Sequence, residues 1–431
     1  MPPATDDPRH DQPLHNPGAL LRLLDVTRRL ATPFELVDVL RVIVDAGRAV
    51  LRADRGSVYL YDAATRELYT VVATGVESIR VSIDTGLAGL CAKQRQIINI
   101  DDCYADPRFN RAMDAQTGYC TTCCLSIPLV GVDNELVGVL QLLNAADGSF
   151  NADDVVVAEV LAAQAATAVQ RVRLIDERLT KLKLERDLAI ARDIQQALLP
   201  RQAPAVPGYE LACYNKPADD TGGDLYDVIR VEGEGDGGTV MLMLADATGH
   251  GIGPALSVTQ LRAMVRVGLR YTTSLEQLVQ HVNEQVARDL PPGRFTTAFM
   301  GELDASAHRL TWHAPGQGPT LWLHAASGEV ETFDATTLPL GVLPDLPPEP
   351  PRVFDLLPGD VVVLLTDGFY EFTHPDGHQQ FGRCRVVDAI LRRRTQSAQA
   401  MLDGLLDELR AWAAGAPQLD DLTAIIVKRE G

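Results

Sequence analysis

The sequence predicts an α+β protein in which two domains are joined by a long helix. Three observations predict it. Short β-branched runs bounded by turn residues occur in both halves, helical stretches lie between them, and the segment 153–199 contains neither Pro nor Gly. A chain of 431 residues, 46% hydrophobic and 23% charged, suits two or three ordinary globular domains.

Taken in order, residues 1–18 are rich in Pro, Asp and His and are expected to form a disordered tail. Apolar residues three and four apart between Leu20 and Ala53 (Leu36, Val39, Leu40, Ile43, Val44) predict a helix. Strand-like runs follow at 56–61, 68–73, 97–100, 125–130 and 136–143, so 19–172 reads as one α+β domain. In the long helix, Leu161, Ala165, Ala168, Val172, Ile175, Leu179 and Leu182 alternate four and three apart, the spacing of a coiled-coil seam. Continuing that spacing puts Arg186 on the seam, and a new stripe starts at Ile190, Ile194 and Leu198. Such a break is a stutter. Pro200 ends the helix. Residues 173–205 are therefore expected to be a linker helix that pairs in a parallel homodimer. The remaining residues, 206–431, carry strand-like runs at 238–245, 296–300, 310–313, 360–366 and 423–428. Helical stretches lie at 254–269, 275–287, 384–393 and 398–413, which again gives an α+β domain.

Charge narrows the partners. A net charge of −19 disfavours nucleic acid, whose phosphates select basic surfaces, and anionic lipid. The longest apolar stretch, 155–169, is broken by Glu159 and Gln164 and is shorter than a bilayer span, so no membrane is expected. Seven cysteines in a chain this long are no disulfide framework, and Met1-Pro2-Pro3-Ala4 has neither the basic start nor the apolar run of a secretory signal. A cytoplasmic location is expected.

Four aspartates stand out in 206–431. Asp246 and Asp367 each follow an apolar strand and precede a Gly-containing turn, Asp420 immediately precedes a strand, and Asp224 follows two glycines. Any one of them could simply cap a turn. Together they suggest one pocket, because hard divalent cations take oxygen ligands and a pair of them clamps a phosphoryl group and activates water. None has Lys or Arg beside it in sequence.

The order of short motifs makes a resemblance specific. These are 191–200 (ARDIQQALLP), Gly222-Gly223-Asp224-Leu225-Tyr226-Asp227, Asp246-Ala247-Thr248-Gly249-His250-Gly251, Pro339-Leu340-Gly341, Pro358-Gly359-Asp360, Thr366-Asp367-Gly368 and Asp420-Asp421-Leu422-Thr423. The stretch from about 190 to 430 resembles the SpoIIE-type branch of PPM metal-dependent serine/threonine phosphatases, to which RsbU-like stress-response phosphatases belong. The resemblance implies an αββα sandwich with two Mn²⁺ or Mg²⁺ ions at one end. Asp224, Asp246, Asp367 and Asp420 would be ligands, with Asp246 bridging, the Ala247 carbonyl a further ligand and Asp421 the alternative to Asp420. The implied chemistry is in-line attack of an activated water on phosphorus without a covalent enzyme intermediate. The implied substrate is phosphoserine or phosphothreonine on a signalling protein such as an anti-sigma-factor antagonist. A catalytically silent pseudo-phosphatase that scaffolds phosphoproteins is the alternative. The chain departs from the family at Ala314-Pro315-Gly316-Gln317, where many relatives have Asn-Ala-Gly-His. His250 reads as a turn histidine held by local hydrogen bonds rather than as the proton donor. Gly222-Gly223-Asp224-Leu225-Tyr226 also resembles a diguanylate cyclase signature, but that pattern puts an acid where Leu225 stands.

Residues from about 20 to 172 resemble a GAF domain, through Arg55 to Tyr61, Asp101 to Phe109, Leu125 to Leu129 and Gly138 to Asn144. The resemblance implies a small-molecule or redox sensor. Asn144, Phe150 and Asp154 fit the signature of cyclic-nucleotide-binding members but Ala145 and Val155 do not, so that ligand is not implied. Five of the seven cysteines fall here, with Cys120, Cys123 and Cys124 close enough in sequence to bind a metal or sense oxidants. The simpler reading is that they pack as small hydrophobes. No histidine lies between His15 and His250, which excludes a His ligand to haem in this domain.

Overall fold

The computed structural model describes residues 35–431 except 74–79, 133, 232–237, 273 and 348, together with Asp25 and Arg28. The expected tail 1–18 and the start of the first helical stretch at Leu20 lie outside the described residues. The chain divides into two compact units between Lys183 and Leu184.

The first unit runs α1 (Leu36–Leu51), β1 (Ala53–Asp62), β2 (Glu67–Ala73), β3 (Arg80–Ser82), α2 (Gly86–Gln94), β4 (Ile98–Ile100), α3 (Arg111–Thr117), β5 (Cys124–Val130), β6 (Leu136–Ala145) and the first part of α4 (Ala152–Leu198). Its six strands form one antiparallel sheet in the order β3-β2-β1-β6-β5-β4. Side chains alternate across the pleat. On one face Val58, Leu60, Leu125, Ile127, Leu140 and Leu142 pack with α1 and α4, and on the other Tyr59, Cys124 and Val139 pack with α2. α4 begins at a reciprocal cap, where the Asp154 N–H donates to Asn151 Oδ1 and the Asn151 N–H to Asp154 Oδ2, both at 3.0 Å. Its start is apolar enough, with a mean hydropathy of 1.3, to cross a bilayer by length and composition. That apolarity has a use inside the unit, because Val157, Leu161, Ala165, Ala168 and Val169 are buried against the sheet. The expected seam therefore divides. Leu161, Ala165 and Ala168 belong to the core, whereas Ile175, Leu179, Leu182, Ile190 and Ile194 are 48–60% exposed.

The second unit begins with the end of α4. It continues through β7 (Tyr209–Lys216), β8 (Asp224–Val231), β9 (Thr239–Ala247), α5 (Ile252–Gly268), α6 (Leu275–Asp289), β10 (Thr296–Asp304), β11 (Arg309–His313), β12 (Thr320–Leu323), β13 (Val330–Phe333), β14 (Arg352–Asp355), β15 (Val361–Leu365), α7 (Gly368–Glu371), α8 (Gly382–Arg392), α9 (Ala398–Ala413) and β16 (Leu422–Arg429). Two antiparallel five-stranded sheets result, β14-β11-β10-β9-β8 and β13-β12-β15-β16-β7. Both faces of each sheet are covered, which is why the central strands read as unbroken apolar runs. Val240, Leu242 and Leu244 of β9 meet Val362 and Leu364 of β15 and Ile425 and Val427 of β16 between the sheets. The intervening Met241, Met243 and Ala245 pack under α5 and α6, while Val361, Val363 and Leu365 pack under α8 and α9. This is an αββα sandwich. Fully buried Trp312 anchors its centre, stacked on Phe299 at 5.4 Å and tilted against Phe354 at 5.2 Å. Truncating such a side chain costs about 3–5 kcal/mol.

Candidate metal centre

The pleat aims the acids. Tyr226 and Leu244 are opposite one another on β8 and β9 and face the inter-sheet core, so two residues further along, the opposed pair Asp224 and Asp246 faces the same way at the rim of the sandwich. From the other sheet, Leu364 faces inward and Thr366 therefore does too. Its Oγ1 donates to Asp224 Oδ2 at 2.7 Å and accepts the Thr423 N–H at 3.0 Å, tying the first acid to both β15 and β16. Asp367, the residue before α7, and Asp420, just before β16, reach the same rim.

The electrostatics show that these acids feel one another. Burial raises the Asp224 carboxyl well above the usual range, and the charges of Asp246 and Asp421 add to the effect. Asp246 is pushed up to about 7, first by burial and then by Asp367, Asp420 and Asp421, against a hydrogen bond with Asp224 that lowers it. Burial also raises Asp367, helped by Glu371, and raises Asp420, helped by Asp367 and Asp421. None of the five carboxylates forms an ion pair with Lys, Arg or His among the described residues. The donor set is all oxygen, anionic and short of cations, which fits hard divalent ions. Among the described residues no three of these side chains close around one point at ligand distance. Asp224 and Asp246 stand directly opposite one another on β8 and β9.

Adjacent Asp420 and Asp421 are used differently. Asp421 is buried and both its oxygens accept backbone N–H groups, Oδ1 from Ala218 at 2.7 Å and Oδ2 from Asp224 at 3.0 Å. It shapes the loop that delivers Asp224. Asp420 keeps much of its surface in solvent, although the protein packed around its carboxyl raises its pKa, and that carboxyl accepts the Asp421 N–H at 2.8 Å through Oδ1. Close backbone approach explains two of the motif glycines. A Cβ on Gly222 would lie 2.4 Å from Asp421 Oδ2, and one on Gly368 would lie 2.0 Å from the Asp421 carbonyl oxygen. Ala247, at the end of β9, donates its N–H to the Gly223 carbonyl at 3.1 Å. His250 is almost fully exposed, with Nδ1 3.3 Å from Asp219 Oδ2.

Several residues supporting the rim escape a reading of the sequence. Asp227, the second acid of Gly222-Gly223-Asp224-Leu225-Tyr226-Asp227, lies on the opposite face of β8. It is wholly buried there and lies 2.8 Å from Arg262 Nε and 2.6 Å from Arg266 Nε of α5. Gln317 is also buried. Its Oε1 accepts from Thr297 Oγ1 at 3.0 Å and its Nε2 donates to the Leu365 carbonyl at 2.9 Å, bridging the strand beside Asp246 to the strand before Asp367. The end of α4 grips the loop before β8. Gln195 Nε2 donates to the Gly222 carbonyl at 2.7 Å, the Gly222 N–H returns a bond to Gln195 Oε1 at 3.1 Å, and Arg192 pairs with Asp220. The 191–200 motif thus has a structural partner two residues from Asp224.

The sensor-like unit holds a cavity of about 130 Å³ lined by Arg55, Tyr59, Phe109, Tyr119, Cys124 and Gln141 among others. The neighbouring cysteines of 120–124 do not converge. Cys120 is exposed, Cys123 packs on the α1 and α4 face of the sheet, and Cys124 packs on the opposite face.

Comparisons with known proteins agree with this division. The family model described as Stage II sporulation protein E (SpoIIE) matches residues 236–430, and that described as GAF domain matches residues 35–169. Among solved structures, the SiaA-PP2C domain of Pseudomonas aeruginosa is 23% identical with a TM-score of 0.51, over 58% of this chain and 99% of that one. That likeness establishes the sandwich fold. Among curated proteins, a probable 3',5'-cyclic phosphodiesterase, pde-5, of Caenorhabditis elegans is 28% identical over 170 residues, which is 36% of this chain and 23% of the relative. A cGMP-specific 3',5'-cyclic phosphodiesterase of Drosophila ananassae is 30% identical over 149 residues, 30% of this chain and 13% of the relative. The chain spans less than a quarter of the length of these curated relatives.

Proposed function

Since the chain belongs to the PP2C-type serine/threonine phosphatase family of the SpoIIE class, with a GAF domain ahead of the phosphatase domain, we propose that it hydrolyses phosphoserine or phosphothreonine on a signalling protein, such as an anti-sigma-factor antagonist in a stress response. One observation carries the reading: acids from four separate segments of the chain meet at one rim of the sandwich and raise each other's pKa, with no cationic side chain paired to them among the described residues. Asp224, Asp246, Asp367 and Asp420, with the Ala247 carbonyl, would hold two Mn²⁺ or Mg²⁺ ions. When bound, such ions supply an activated water and neutralise phosphoryl oxygens. The chain's own residues do the rest. Thr366 orients the Asp224 carboxylate, Asp421 holds the loop that carries it, and Gln317 fixes the spacing between Asp246 and Asp367.

In this proposal the GAF domain receives a small-molecule or redox signal, and α4 carries it to the loop at Gly222 that Gln195 grips. The exposed stripe Ile175, Leu179, Leu182, Ile190 and Ile194 supports a homodimer through this helix. The acidic surface and the packing of the apolar start of α4 into the first unit favour a cytoplasmic protein that binds neither nucleic acid nor membrane.

The test is Mn²⁺-dependent release of phosphate from phosphoserine and phosphothreonine peptides by the full chain, with Asp246→Asn as control. Activity that survives unchanged in that variant would refute the metal-centre assignment. Peptide binding without turnover, together with no calorimetric signal for Mn²⁺, would point to the silent scaffold.

A further inference from the structure

The cavity of about 130 Å³ in the first unit holds a cation that the fold has fixed in place. One wall is a face of the sheet. Arg55, Ser57 and Tyr59 alternate along β1 and so share that face, with Arg55 opposite Leu143 and Ser57 opposite Gln141 on β6. Another wall is the loop after α3, which carries Tyr119 and Thr121. That loop is pinned from two sides. Asn144 Oδ1 accepts the Thr122 and Cys123 N–H groups at 2.8 and 3.3 Å, and its Nδ2 donates to the Tyr119 hydroxyl at 2.9 Å. Buried Asp114 accepts the Thr121 N–H at 2.7 Å and the hydroxyls of Thr121 and Tyr104 at 2.8 and 3.1 Å. The Tyr119 hydroxyl itself donates to Asp54 Oδ2 at 2.6 Å. On this fixed ring lies the Arg55 guanidinium, 3.7 Å from the centroid. Among the described residues no carboxylate lies at ion-pair distance from it. Stacking occupies the face of a guanidinium and leaves its N–H edge for a planar anion.

We propose that this cavity binds a small aromatic monocarboxylate, its carboxylate on the N–H edge of Arg55 and its ring among Val81, Leu87, Phe109 and Leu143. Size sets the body of the ligand. An apolar cavity of about 150 Å³ binds benzene, so this one takes about a single ring, and a cyclic purine nucleotide with its several fused rings exceeds it. Charge sets the head group. One guanidinium balances one negative charge, and the Asp114 carboxylate in the same lining opposes a second, which favours a carboxylate over a phosphate dianion. The three donors on Asp114 hold its charge within the wall, so it does not compete for Arg55. Pinning Tyr119 positions the guanidinium before the ligand arrives, which lowers the ordering cost of binding. The inference rests on the reading that the first unit receives a small-molecule signal, and it names the class of that molecule.

The experiment titrates the full chain by calorimetry with benzoate, benzamide, phenyl phosphate and cGMP, so binding is read without any phosphatase assay. Benzoate should bind once per chain. Benzamide keeps the ring and loses the charge, and should bind about 10-fold more weakly or worse. Phenyl phosphate should also bind more weakly than benzoate. Arg55→Gln should weaken benzoate by about 10-fold while leaving benzamide within about 2-fold, and Arg55→Lys, which keeps the charge without the fork, should fall between. If Arg55→Gln fails to fold by circular dichroism, the ratio of benzoate to benzamide affinity in the unaltered chain still decides. Equal affinity for those two, tighter binding of phenyl phosphate, or benzoate affinity unchanged in Arg55→Gln would overturn the proposal. Binding of cGMP without benzoate would overturn it and leave the first unit a small-molecule sensor, whereas silence from all the probes would count against both.

Discussion

Asp224 and Asp227 stand three residues apart on one strand, and the fold treats them in opposite ways. Alternation across β8 sends Asp227 outward beneath α5, where two arginines one helical turn apart neutralise it. It sends Asp224 inward to a rim populated by other acids. Burying a carboxylate is costly wherever it happens. On one face the protein supplies the opposite charge itself, and on the other it leaves that charge to be supplied. The difference separates an acid that builds the sandwich from one that, in the proposed function, recruits a ligand.

Asp227→Asn gives the largest effect in this comparison. It strands Arg262 and Arg266, so the second unit should lose about 3 kcal/mol of stability in urea unfolding. Asp224→Asn should leave stability in metal-free buffer unchanged or higher, because it removes one charge from a repelling group. Phosphate release at limiting Mn²⁺ should fall by about 100-fold. Equal destabilisation by the two substitutions would break the comparison. Thr366→Val removes the hydroxyl that orients Asp224 and accepts the Thr423 N–H. An increase of about 10-fold in the Mn²⁺ dissociation constant is expected by calorimetry, and an unchanged affinity would show that Asp224 needs no such positioning.

The smallest effect sharpens the comparison with a third solution, a buried group that stays neutral. His313 is buried with Nε2 unpartnered beside a small cavity that Glu276 and Glu349 also line. Burial lowers its pKa from 6.5, against the two glutamates that raise it. The unfolded chain therefore takes up a proton as pH falls through about 6.5 while the folded chain does not. Stability is full above that pH and declines as pH drops toward the folded value. Thermal melts between pH 8 and 5.5 should show the decline, and His313→Gln should flatten it.

The acids at the rim are legible in the sequence because each sits beside a feature with its own signal. Those signals are two glycines before Asp224, apolar strands before Asp246 and Asp367, and a strand after Asp420. The two α+β domains and the long helix are legible for the same reason, since apolar period and Pro and Gly placement are local. Strand β8 is not legible, because its acids fall on both faces and hide the alternation. Asp227 makes sense only beside Arg262 and Arg266, which lie beyond another strand in sequence. Strands β12, β13 and β14 have four residues each, too few to show a period. The sequence suggests grouping Cys120, Cys123 and Cys124 because they are neighbours. The pleat separates the last two: Cys123 joins the cluster under α1 and α4, and Cys124 the cluster that also holds Cys91 and Cys103. The stripe along the long helix is legible, but nothing in its spacing reveals that Leu161, Ala165 and Ala168 already have partners in the first unit.

The two bonds between Gln195 and Gly222 have a practical consequence. The Gly222 amide hydrogen is held by a helix side chain rather than by a neighbouring strand, so its lifetime in heavy water depends on whether the last turn of α4 stays docked. One backbone proton, two residues from Asp224, thereby becomes a natural gauge of the linker. Following its exchange as oxidants or small molecules are added would report the arrival of a signal before any phosphate is released.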